Sequence, residues 1–152
     1  MSGLARLLAG RVEPGVYHWT SAAGIDDIRH AAEHANWRLV LLDTWGSEDK
    51  DGFMQAAHEA FGFPDWFGRN FDALADALSD IQPADDQHGV VVVWDGWGPL
   101  ARAERRVFDV AVDVFSGRVE YERAGPFAVL LRGPGPDDTD LVELDPHGPP
   151  TG

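Results

Sequence analysis

The sequence predicts an α/β fold built on a mainly parallel sheet. Short apolar runs alternate with longer helical patterns, and two of the runs, VVVVW at 90–94 and FAVLLR at 127–132, are apolar at nearly every position. Alternating strand and helix signals call for βα units. Unbroken apolar runs suit strands covered on both faces. A chain of 152 residues, 44% of them hydrophobic, is long enough for one buried core and too short for two ordinary domains.

Taken in order, residues 1–15 carry only a brief apolar patch at Leu4 to Ala9 among Gly, Pro and charge, and read as a flexible tail. Val16 to Trp19 is the first strand candidate. A helix from about Asp26 to Ala35 gathers Ile25, Ile28, Ala32 and Ala35 on one side and leads to a second strand, Leu39 to Asp43. Ser47 is the expected N-cap of the next helix, with Glu48 and Asp49 opposing its dipole, and Gly62 marks its end. Val90 to Trp94 is expected at the centre of the sheet. A pattern from Leu100 to Phe115 aligns Leu100, Val107, Phe108, Ala111 and Phe115, with a possible split near Arg105 and Gly117 as terminator. Phe127 to Arg132 closes the sheet, and residues 133–152 read as a flexible acidic tail.

Twenty-six Asp and Glu against twelve Lys and Arg leave a formal charge of -14. Such a field repels nucleic acid and anionic membranes and accelerates encounter with a basic protein. The chain has no cysteine, which excludes disulfides and thiolate metal sites and suits a reducing cytoplasm. The N-terminal apolar patch is too short for a signal peptide, and no run has the length of a membrane span.

The segment from Phe63 to Pro83, FPDWFGRNFDALADALSDIQP, carries the functional signal. Pro64 and Gly68 bound an aromatic loop, and the Asn70 side chain is placed to cap a helix. Phe71, Leu74, Leu78 and Ile81 recur at spacings of three, four and three, so they share the face turned to the core. The opposite side holds Asp72, Asp76 and Asp80, with small Ala73 and Ala77 beside them. Like charges one turn apart cost an isolated helix about 0.2–0.5 kcal/mol per pair, so on spacing alone the pattern is either a plain solvated acidic face or one selected by something other than helix stability.

The string PDWFGRNFDALADAL resembles the signature of the barstar family, in which an aromatic loop with Tyr, Gly and Asn leads into a helix reading Leu-Asp-Ala-Leu-Trp-Asp. Pro64, Gly68, Asn70, Asp72, Ala73, Leu74 and Asp76 match directly. The order of elements from about Arg38 to Arg132 matches too. The resemblance implies a three-stranded parallel sheet with packed helices over residues 38–132, extended to four strands by the βα unit at 16–37. It also implies a cytoplasmic inhibitor of a small, basic microbial ribonuclease of the barnase type, needing no cofactor. Helix carboxylates would stand in for RNA phosphates, with Asp76 the deepest anchor and Asp72 its neighbour. Trp66 takes the place of the family's aromatic interface residue, Asn70, Gly68 and Phe71 line the approach, and Ala73, Ala75 and Asp80 border it. The chain departs from the family at Ala75, where the family has Trp, at Asp80, where Gly is usual, and at Arg69, where an acid is common. The family's acid on the last helix falls near Ser116 and Gly117 here, with Glu120 and Glu122 as candidate substitutes.

Other chemistries compete for these residues. The pattern HAAEH, with His30 and His34 as zinc ligands and Glu33 as base, has the form of an inverted zinc metallopeptidase motif, but no segment supplies a third ligand and a cleft. Asp72 and Asp76 as a catalytic carboxylate pair would need a desolvating pocket. A barstar-like module that binds another basic protein without inhibiting it stays open, with Trp45, Trp66, Trp94 and Trp97 as possible surface aromatics.

Overall fold

The structure, a computed structural model, describes residues 2–144. Its elements are α1 (Gly3–Leu8), β1 (Val16–Trp19), α2 (Ile25–His34), β2 (Trp37–Asp43), α3 (Lys50–Phe61), α4 (Phe71–Ser79), β3 (Gly89–Asp95), α5 (Gly98–Ala103), α6 (Arg105–Glu120), β4 (Phe127–Arg132) and β5 (Val142–Glu143). The strands form one all-parallel sheet in the order β2-β3-β4-β1-β5. β3 is interior, as its apolar run requires, but β4 occupies the middle.

Period-two alternation divides each interior strand between two cores. Val90, Val92 and Trp94 of β3, with Phe127, Val129 and Leu131 of β4, pack under α3, α4, α5 and α6. Val91, Val93, Ala128 and Leu130 pack on the other side against α1 and α2. Phe53, Phe108 and Phe115 meet Trp94 in the first core, so this layer is aromatic and rigid.

That second core corrects both expected tails. The segment expected as a flexible tail at 1–15 is docked within its described residues, 2–15: Leu4, Leu7 and Leu8 lie on one face of α1 and are buried, and the Trp37 indole donates to Leu8 O at 3.1 Å. α1 and α2 together cover the valines of β3 on that side. Residues 133–144 are likewise packed. The Trp97 indole donates to Gly133 O, Arg105 pairs with Asp138, and β5 adds a fifth strand beside β1, where Glu143 contacts His18 and Leu144 is buried. The rest of the expected acidic tail, 145–152, lies outside the described residues.

Smaller differences have local causes. Asp49, not Ser47, caps α3 by accepting from Gly52 N at 2.8 Å, because the helix begins at Lys50 and Ser47 lies three residues before it. Gly62 does end α3, at φ 69°. The pattern after Leu100 breaks at Glu104 into α5 and α6, and α6 runs past Gly117 to Glu120.

The extension carries Arg118, which is 4% exposed. Its guanidinium donates to Leu78 O (2.9 Å) and Ile81 O (2.8 Å) at the end of α4, and to Ala124 O (2.9 Å), Gly125 O (3.2 Å) and Tyr121 O (3.4 Å) in the turn before β4. It also lies 4.5 Å over the Phe127 ring. Burial draws its pKa below the ordinary value, yet a guanidinium stays charged at any pH the fold meets. One cation therefore ties α4 to α6 and β4.

Replacing Arg118 by Met fills a similar volume and donates nothing, so stability is expected to fall by roughly 2–5 kcal/mol in urea unfolding. A loss below about 0.5 kcal/mol would show that the carbonyls find other partners. Leu7→Ala is expected to cost about 2–4 kcal/mol, whereas an undocked α1 would make it neutral.

Candidate functional site

The aromatic loop is held from within. Phe63 and Phe67 are buried, their rings 4.7 Å apart, and Phe61 stacks on Phe63 at 5.3 Å. The Phe67 N–H closes a turn on Pro64 O at 2.9 Å. This anchoring leaves Trp66 on the outside, 84% exposed. Its indole offers water a broad apolar face with a polar N–H edge, the kind of group that is enriched at interfaces.

Arg69 takes a positive φ of 50°, which turns the chain into α4. Asn70 then caps the helix: its Oδ1 accepts from Ala73 N at 2.8 Å and its Nδ2 donates to Gly68 O at 3.2 Å. A Cβ at Gly68 would stand 3.3 Å from the Asn70 amide and 3.4 Å from Ala73, so a small residue lets loop and helix approach.

Along α4, Leu74 and Leu78 are fully buried and Ile81 nearly so, as the spacing predicts. Phe71 is half-buried against the core, with Lys50 Nζ 5.4 Å from its ring centre. Asp72, Asp76 and Asp80 are all exposed, and none forms an ion pair among the described residues. Asp80 is the residue that ends the helix, not a member of it.

The carboxylates form a ridge between two hollows. On one flank the loop and helix enclose about 360 Å³ lined by Trp66, Gly68, Ala73, Asp76 and Asp80 with the loop phenylalanines. Asp72, Asn70 and Phe71 do not line this hollow. Ala75 does not line it either; it faces the other flank, where α4 and α6 bound a second hollow of about 420 Å³ with Ser79, Asp113, Gly117 and Tyr121. Asp113 is the carboxylate there, rather than Glu120 or Glu122. Asp113, Gly117 and Tyr121 recur every fourth residue, a stripe visible in the sequence, but nothing in the sequence says that it meets α4.

The residues of the competing readings lie elsewhere. His30, Glu33 and His34 are exposed on α2, and among the described residues no group of three His, Cys, Asp or Glu could hold a metal ion. Trp94 and Trp97 are core residues, while Trp45, 47% exposed, lies over Gly96 and Gly133 at the strand ends. No helix among the described residues is long and apolar enough to cross a membrane.

A comparison with protein families matches residues 37–132 to the family described as Barstar (barnase inhibitor). Among curated proteins none matches the chain.

The cap is testable apart from any partner. Asn70→Ala is expected to lower stability by about 1 kcal/mol and Asn70→Asp by less, in urea melts, because aspartate keeps the acceptor for Ala73 N and loses only the bond to Gly68 O.

Proposed function

Because the chain belongs to the barstar family, we propose that it is a proteinaceous inhibitor of a small, basic microbial ribonuclease. The single observation that carries this reading is the ridge on α4: Asp72 and Asp76, one turn apart, exposed and without internal cations. Two such carboxylates present four acceptor oxygens to a cluster of Arg, Lys and His groups, and charge-assisted bonds of this kind are the strong ones. RNA phosphates would be displaced from the same cations. Trp66 supplies apolar contact beside the ridge, and Asn70 with Gly68 sets the angle at which α4 meets the enzyme. Asp80 adds a third charge at the edge of the hollow. The chain itself performs no catalysis in this scheme and needs no cofactor; it acts in the cytoplasm, where an acidic inhibitor meets a basic nuclease.

The charge of -14 accounts for speed rather than fit. Long-range attraction raises the encounter rate, while the helix carboxylates set how long the complex lasts.

The test is RNA cleavage by barnase and a panel of small basic microbial ribonucleases, with the purified chain titrated in. Expected is stoichiometric inhibition of at least one enzyme, weakening as ionic strength rises from about 0.1 to 1 M, where the Debye length falls from about 10 to 3 Å. Asp76→Ala is expected to raise Kd by at least about 30-fold, near 2 kcal/mol, and Asp72→Ala by a comparable or smaller amount. Asp26→Ala, on the opposite side of the sheet, should leave Kd within about threefold. Binding without inhibition would point to an interaction module for another basic protein. Full affinity in both α4 variants would overturn the site.

A further inference from the structure

The two edges of the sheet are unlike. β5 ends one side with two residues, whereas β2 ends the other with seven, Trp37 to Asp43, paired to β3 without a bulge or a proline. Asn36 O accepts from His88 N and Thr44 N donates to Asp95 O, so the even-numbered positions along β2 turn their backbone groups towards β3. The N–H and C=O groups of Trp37, Leu39, Leu41 and Asp43 therefore point outward. Among the described residues no other backbone group pairs with them. An edge of this length, apolar at its centre, is a template for another strand.

A groove of about 450 Å³ follows this edge, between Arg29 and Glu33 of α2 on one face of the sheet and Ala60 of α3 on the other. Arg29 and Glu33 are exposed, one turn apart, and form no ion pair with each other or with any described residue. Arginine ahead of the acid is the weaker order for a pair within one helix. Arg38, whose guanidinium donates to Gln82 O at 3.1 Å, is the third charged residue of the groove. Two cations and one carboxylate make this patch non-acidic in a chain of formal charge -14. None of the α4 carboxylates lines it.

We infer that β2 pairs with β2 of a second copy of this chain, antiparallel about a two-fold axis at Val40, so that two five-stranded sheets become one. This register pairs every residue of the strand and sets Leu39 and Leu41, both half-buried, opposite the partner's Leu41 and Leu39. A two-fold contact must be self-complementary, and α2 makes it so. As the crossover between parallel strands, α2 runs antiparallel to β2, and the axis brings Arg29 towards the partner's Glu33 and Glu33 towards the partner's Arg29. A foreign strand would satisfy the backbone equally but leave Arg29 and Glu33 unmatched. The copies also meet at a patch where neither is acidic, which limits the repulsion between two such chains. The inference is independent of the reading of α4.

Sedimentation equilibrium of the full chain, from micromolar to millimolar concentration, tests this. Monomer and dimer are expected, with no larger species because a two-fold contact closes. Glu33→Arg sets cation against cation and is expected to raise the dimer dissociation constant by at least about tenfold, and adding Arg29→Glu to restore most of that factor. Both positions are exposed on α2, so urea midpoints should hold. Leu39→Pro removes an outward N–H and leaves the ladder to β3 intact, and is expected to abolish the dimer. Amide hydrogen exchange at Leu39 and Leu41 should slow as concentration rises. A chain monomeric throughout, species beyond the dimer, or a dimer indifferent to either Glu33→Arg or Leu39→Pro would overturn the inference. So would a charge-swapped double variant no tighter than Glu33→Arg alone, or exchange at Leu39 and Leu41 that ignores concentration.

Discussion

The Arg118 guanidinium governs where α4 stands. An α-helix leaves its last carbonyls without partners and carries partial negative charge at that end. α4 aggravates the problem, because Asp76 lies in its second half and Asp80 ends it. A buried cation donating to Leu78 O and Ile81 O answers both the unsatisfied carbonyls and the unfavourable dipole, from inside the protein. The outward side of the helix is therefore free of compensating lysines and arginines.

This division of labour explains how an acidic ridge survives on a nine-residue helix. Its beginning is fixed by the Asn70 cap, its middle by Leu74 and Leu78 in an aromatic core, and its end by Arg118. Each of these acts on the buried side or the backbone. Asp72 and Asp76 contribute nothing to holding the helix, and like-charge repulsion between them slightly opposes it. A surface that the fold neither needs nor neutralises is available for electrostatic recognition. The loop that carries Trp66 is anchored by the buried Phe63 and Phe67 and holds an apolar group beside it.

The second layer of the sheet serves the first at a distance. α1, α2 and the segment 133–144 cover the valines and leucines of β3 and β4 that point away from α4. They convert the interior strands into a two-sided platform on which α3 to α6 rest. The region matched to the barstar family, 37–132, contains α4 and all its direct supports. What lies outside it adds β1, β5 and a covered sheet face.

The sequence by itself determined the local features. The four main strands, the fully buried runs of β3 and β4, the Asn70 cap and the opposed faces of α4 follow from period, propensity and capping chemistry, which act over a few residues. It misjudged α1 and 133–144 because a six-residue helix or a two-residue strand has no stable existence alone; Leu4, Leu7, Leu8 and Leu144 are ordered only by the sheet face that awaits them. Nor does any window of sequence reveal that Arg118 reaches carbonyls forty residues earlier in the chain, or that Asp113, Gly117 and Tyr121 face Ala75 across a gap. Those relations depend on how α4 and α6 are set side by side on the sheet. Burial, long-range hydrogen bonds and the space between helices are properties of that arrangement, so only the tertiary structure decided that the acidic face is a ridge with a hollow on either side.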